Sequence, residues 1–142
     1  MFSIKDWGDN IKQSPKERLL TSKYVTGCSD SLIGEKYHYA KVGLEISPSD
    51  VLIFRADVKL DEGLKELCEK EKLIESIWYG VLDVMLIGPI KPINFFSCVL
   101  KHIEINPRRA TRLAFRFAAR QAVNKLLSES THQKIYGWGY KK

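Results

Sequence analysis

The residues of this chain best suited to bind a partner are cationic and regularly spaced: Arg108, Arg112, Arg116 and Arg120 recur every four positions, with Arg109 beside the first. On a helix, residues four apart rise about 6 Å per step, so their planar guanidinium forks suit successive anionic groups along a nucleic-acid strand. No acidic residue lies between Glu104 and Glu129, so i,i+4 pairing within such a helix cannot neutralise the row. Two readings stand open. The row is a solvated face that keeps a small protein soluble, or it is a phosphate-binding rail. One-for-one pairing of these arginines with carboxylates from elsewhere in the chain would remove the case for an external anion.

Other chemistry is harder to find. The Gly-x-x-x-x-Gly-Lys-Ser/Thr cradle for a nucleoside triphosphate is absent. His102-Ile103-Glu104 matches the His-x-Glu of zinc deaminases, but the Pro-Cys-x-x-Cys that would supply the other ligands is missing. Cys28, Cys68 and Cys98 form no Cys-x-x-Cys pair and are expected to be buried thiols. His38 and His132 stand apart from any Cys or Asp cluster and are expected to be hydrogen-bonded structural residues. Asp83 lies in an apolar run, where a carboxylate must face water or find a Lys or Arg partner. A cleft joining Asp83, His102 and Glu104 is the weakest reading, because titratable groups of unknown separation are not a mechanism. The chain is therefore expected to carry no catalytic residue, metal or cofactor.

The arginines need a helix to align them. Asn106-Pro107 carries a helix-start signature, an N-cap acceptor followed by proline at the first helical position, and predicts a helix over 106–127. Ala110, Ala114, Ala118 and Ala122 form a second row, two residues out of step with the arginines and so on roughly the opposite side. Small residues allow close approach to a sheet or another helix, and Leu113, Phe115, Phe117 and Leu126 widen that apolar contact.

Upstream, residues 17–26 read as a strand and 27–35 as a turn-rich loop. His38, Ala40, Val42, Leu44 and Ile46 alternate with Tyr39, Lys41, Gly43 and Glu45, the pattern of a half-buried strand. Ser47-Pro48-Ser49-Asp50 is turn chemistry, and 52–58 alternates again, which predicts a hairpin between these two strands. Residues 61–76 read as one amphipathic helix, with Leu60, Leu64, Leu67 and Ile74 along its stripe. The nearly continuous apolar run 77–87 reads as a central strand, 88–92 as its stop, and 93–105 as a last strand with Val99, Ile103 and Ile105 facing one way and Cys98, Leu100, His102 and Glu104 the other.

A chain of 142 residues that is 44% hydrophobic fits one domain, with an irregular lead-in over 1–15, a core over 16–127 and an aromatic, basic tail over 128–142. In that tail Tyr136, Trp138 and Tyr140 are either a docked plug or a base-stacking segment, and Lys141 and Lys142 add charge. No apolar run approaches the roughly 18 residues of a membrane span, and the amino end lacks a secretory pattern, so the expected compartment is the cytoplasm. A formal charge of +6 favours an acidic partner.

Several segments also resemble a known family. Leu113-Ala114-Phe115-Arg116-Phe117-Ala118-Ala119, followed by Ala122-Val123, is similar to the start of the last helix in domain IV of translation elongation factor G and its relatives, including the tetracycline-resistance ribosomal protection proteins. Tyr39-Ala40-Lys41-Val42 with Pro48 resembles that domain's Tyr-Ala-x-Val strand, the helix over 61–76 takes the place of its first helix, and Tyr79-Gly80 with Asp83-Val84 resembles the strand that follows. The likeness spans Pro15 to Leu127. It implies an α+β domain of the ribosomal protein S5 domain 2-like kind, with a four- to five-stranded, mainly antiparallel sheet and two helices on one face. In the family this domain contacts RNA in the decoding region of the small ribosomal subunit and performs no bond chemistry. The glycine-rich loop before the Tyr-Ala strand is reduced here to Gly34-Glu35-Lys36, and a longer stretch from Pro89 to Thr111 replaces the acidic segment before the last helix, so translocation-like activity does not carry over.

The expected function is a non-enzymatic domain that binds structured RNA or the ribosome through Arg108, Arg109, Arg112, Arg116 and Arg120, assisted by Lys101. The alternative is a protein-interaction module, of immunity or adaptor type, that covers an acidic protein with the same face.

Overall fold

The computed structural model describes residues 22–87, 93 and 95–133. The readings made on the lead-in, on the 88–92 stop and on the tail beyond residue 133 lie outside these residues. The chain forms β1 (Lys23–Ile33), β2 (Lys36–Pro48), β3 (Ile53–Ala56), α1 (Glu62–Glu71), α2 (Leu73–Met85), β4 (Phe96–Glu104) and α3 (Arg112–Gln133). Among the described residues the sheet has four strands in the order β1-β2-β4-β3. β1 with β2 and β2 with β4 are antiparallel, while β3 with β4 is parallel. The architecture is α+β with a mainly antiparallel sheet.

The expected loop over 27–35 is instead the second half of β1. Strand pairing continues to Ile33 opposite Lys36, and only Gly34 and Glu35 turn, with Gly34 at φ +66°, a left-handed conformation that glycine adopts without a Cβ clash. The predicted hairpin between the second and third strands does not form either. β2 turns back from β1, and its other edge is taken by β4.

The largest correction concerns residues 77–87, which are helical rather than a central strand. Because β3 and β4 are parallel neighbours, the chain between them must cross over the sheet, and a helix is the usual way to span that distance with its backbone bonded. Leu73, Ile77, Gly80, Val81 and Val84 are buried while Glu75 and Tyr79 are exposed, a helical period that the uninterrupted apolar composition conceals. The helix predicted over 61–76 is split at Lys72, which takes φ 54° and ψ 44°, so among the described residues three helices stand where two were expected. Asp61 caps α1 by accepting from the Leu64 amide at 2.8 Å.

The core lies between the sheet and the helices. Ala40, Val42, Leu44 and Ile46 of β2 are fully buried, as their alternation requires, against Phe96, Cys98 and Leu100 of β4. A bulge reverses β4's phase. Gly43 pairs with His102 and Leu44 with Leu100, so Lys101 is the extra residue; beyond it Ile103 and Ile105 pack against the core while His102 is exposed. The single-faced pattern expected over 93–105 is thereby broken. On α3, Ala114, Ala118 and Ala122 are fully buried with Phe115 and Leu126, whereas Leu113 is exposed and Phe117 half-buried.

The alanine row works as a close-approach surface because glycines meet it. A Cβ on Gly27 of β1 would strike the Ala118 carbonyl, and one on Gly80 of α2 would strike that of Arg116. α3 is thus seated tightly against both a strand and a helix.

Candidate anion-binding face

α3 begins later than the Asn-Pro signature predicts. Thr111 is the residue whose Oγ1 accepts from the Ala114 amide at 3.1 Å, and the helix starts at Arg112. Asn106 caps a turn instead, accepting from the Arg108 amide at 3.1 Å through its side chain and from the Arg109 amide at 2.9 Å through its carbonyl. The Arg109 carbonyl accepts from the Tyr39 amide at 3.1 Å, which pins this turn beside β2. Arg108 and Arg109 are therefore a fixed exposed loop leading into the helix rather than its first residues.

Arg112, Arg116 and Arg120 are exposed along α3, and their neighbours differ. Arg116 makes a two-pronged contact with Asp83 of α2, Nε to Oδ2 at 2.6 Å and Nη2 to Oδ1 at 2.7 Å. The Arg120 Nε lies 3.2 Å from the same Oδ2. Hydrogen bonding to Asp83 pushes the Arg116 guanidinium still further above its ordinary range. Arg112 Nε donates to the Glu71 carbonyl at 3.0 Å, closing the end of α1. Arg109 lies over the Tyr37 ring at 5.4 Å. Among the described residues, then, one carboxylate serves two of the five arginines, and Arg108, Arg109 and Arg112 pair with none.

Lys101 does not join this row. Its Nζ is bonded to Asp57 Oδ2 at 3.0 Å, on the β3 side of the sheet, whereas α3 packs over β1 and β2. Nor do Asp83, His102 and Glu104 converge. Asp83 serves the helical layer, while His102 Nε2 meets Glu104 Oε2 at 2.9 Å and the Tyr39 hydroxyl donates to Glu104 Oε1 at 3.0 Å. Among the described residues no group of three or more His, Cys, Asp or Glu side chains is placed to hold a metal. Cys68 and Cys98 are buried and Cys28 is half-buried; burial pushes the Cys98 thiol up to about 12. His38 Nδ1 is 2.6 Å from Thr111 Oγ1, a contact that steadies the start of α3.

Sequence reasoning missed the groove between α2 and α3. Lys72, Glu75, Ser76 and Tyr79 line one wall and Arg112, Leu113 and Arg116 the other, around a volume of about 460 Å³. Reading 77–87 as a strand hid it, since Tyr79 reaches this groove only from a helix.

Fold and face together describe an α+β domain that carries an arginine-rich helix on one side of its sheet. No family model matches the chain, and no curated protein matches it in sequence. In structure it is similar to ttk003000868 from Thermus thermophilus, known from a crystal structure, with a TM-score of 0.64 and 19% identity over 81% of this chain and 17% of that one. The chain thus spans only 17% of that protein's length, and the likeness shows the fold. Among the described residues no helix is long and apolar enough to cross a membrane.

Proposed function

We propose that this chain is a non-enzymatic domain of the cytoplasm that binds structured RNA, ribosomal RNA first among candidates, through Arg108, Arg109, Arg112, Arg116 and Arg120. The observation that carries the reading is the imbalance of charge: five arginines on a loop and the helix it feeds, with Asp83 the one carboxylate among the described residues that pairs with any of them. The first turn of α3 also lacks an acidic residue, so the positive end of the helix dipole adds to the arginines instead of being offset. The resemblance to elongation factor G domain IV supports RNA over other polyanions.

Arg108 and Arg109 are the safest residues to test, because among the described residues their guanidinium groups hold no hydrogen bond that shapes the fold. Binding of a structured RNA should fall steeply with salt, and each Arg→Gln change at these positions should flatten the log–log slope by about one phosphate contact. Charge reversal of Arg112 and Arg116 together should abolish binding. RNA affinity equal to the parent's in the reversed variant, with its fold intact, refutes the proposal. In a pull-down, a stoichiometric acidic protein that survives nuclease treatment would favour the protein-interaction reading instead.

A further inference from the structure

The groove between α2 and α3 combines features that an electrostatic rail does not need. Tyr79 is 56% exposed and Leu113 39% exposed, and the two large apolar side chains share one depression. Isolated exposed apolar residues are ordinary, but a pair that lines a groove between cations is suited to a flat apolar group that also carries negative charge. Arg116 lies 5.8 Å from the Tyr79 ring centre while Asp83 holds its guanidinium by two bonds, so ring and cation are set in advance.

The rim is cationic. Lys72 and Arg112 both line the groove, and Arg112 uses Nε on the Glu71 carbonyl, its two Nη groups holding no hydrogen bond among the described residues. Lys72 is also the one described non-glycine residue with positive φ, a strained backbone held at the edge of the groove. Glu75 is the one carboxylate among the lining residues, against the three cations Lys72, Arg112 and Arg116. The volume, about 460 Å³, falls in the range of about 300–1,000 Å³ usual for small-ligand sites.

We infer that this groove takes a single unpaired nucleotide of an RNA strand, its base against Tyr79 and Leu113 and its phosphate between Lys72 and Arg112. The inference rests on the RNA-binding reading and adds a shape requirement to it: the rail alone binds any phosphate backbone, whereas the groove selects a base that has left its stack.

The test compares an RNA hairpin bearing one bulged nucleotide with the same hairpin fully paired, by fluorescence anisotropy. The parent should prefer the bulged RNA by about tenfold, the worth of one base–aromatic stack. Tyr79→Ala should reduce the bulged hairpin to the affinity of the paired one, and Tyr79→Phe, which keeps the ring, should retain the preference. Equal affinity of the parent for both hairpins, or a preference that survives Tyr79→Ala, overturns the inference while leaving the rail intact. Failure of the parent to bind either hairpin overturns the rail and the inference together. Tyr79-dependent binding of an acidic aromatic peptide in place of the bulged RNA would assign the groove to a different occupant and likewise overturn it.

Discussion

Glu104 gathers a polar cluster on the sheet face away from the helices, with donors from His102 and Tyr39 and with Lys41 Nζ at 3.7 Å. The His102 hydrogen bond, then that of Tyr39, hold its carboxyl below the usual carboxylate range against a smaller opposing effect of desolvation. A carboxyl whose pKa is lowered by folding adds stability that is complete above its unfolded-state value, about 4.3, and is lost as pH falls through the lower folded value. Urea unfolding followed from neutral pH to about pH 3 should therefore show the parent losing more stability than Glu104→Gln, with the two converging in acid. Parallel profiles over that window would show that the cluster contributes nothing to acid stability. His102 and Glu104 were visible in sequence as a His-x-Glu pair, but the pair's purpose was not, because Tyr39 joins it only through the register that sets Lys41 opposite Glu104.

At the scale of elements, the start of α3 separates a local signal from a tertiary one. Asn-Pro followed by charged residues has the composition of a helix start, yet the chain spends it on a turn that Tyr39 holds against β2. Thr111 does the capping without the acidic partner at the third helical position that would have marked it, since that position is Ala114. Thr111→Ala should destabilise the protein by about 1 kcal/mol, the usual cost of losing an N-cap, and should also free His38. Asn106→Ala should cost less and leave the helical content unchanged by circular dichroism. The reverse order in urea midpoints would return the helix start to Asn106. The alternation of β2 and the alanine row of α3 were readable because each reports burial of one face of one element. The path from β3 to β4 was not, since an apolar run of that length fits a buried helix as well as a strand.

For the whole molecule, Asp83 couples the packing of the helices to the field the protein presents. It lies within reach of Arg116 and Arg120 because Gly80 lets α2 approach the α3 backbone at Arg116. Asp83→Asn should lower stability by about 1–2 kcal/mol, since the side chains of both arginines are 45% exposed and screened while the carboxylate they share is only 12% exposed. It should also raise affinity for a polyanion and steepen the salt dependence, because two guanidinium groups lose their internal partner. An unchanged slope in a folded variant would mean that Arg116 and Arg120 do not meet phosphate. From sequence alone came the inward face of β2, the small-residue face of α3 and the surplus of arginine, because periodicity and charge are written in residue order; the α+β class came from the family resemblance. The tertiary structure decided that residues 73–85 are helical, that one carboxylate is shared between two arginines, and that Tyr79 lies in a groove, because each depends on how closely segments distant in the chain are allowed to pack.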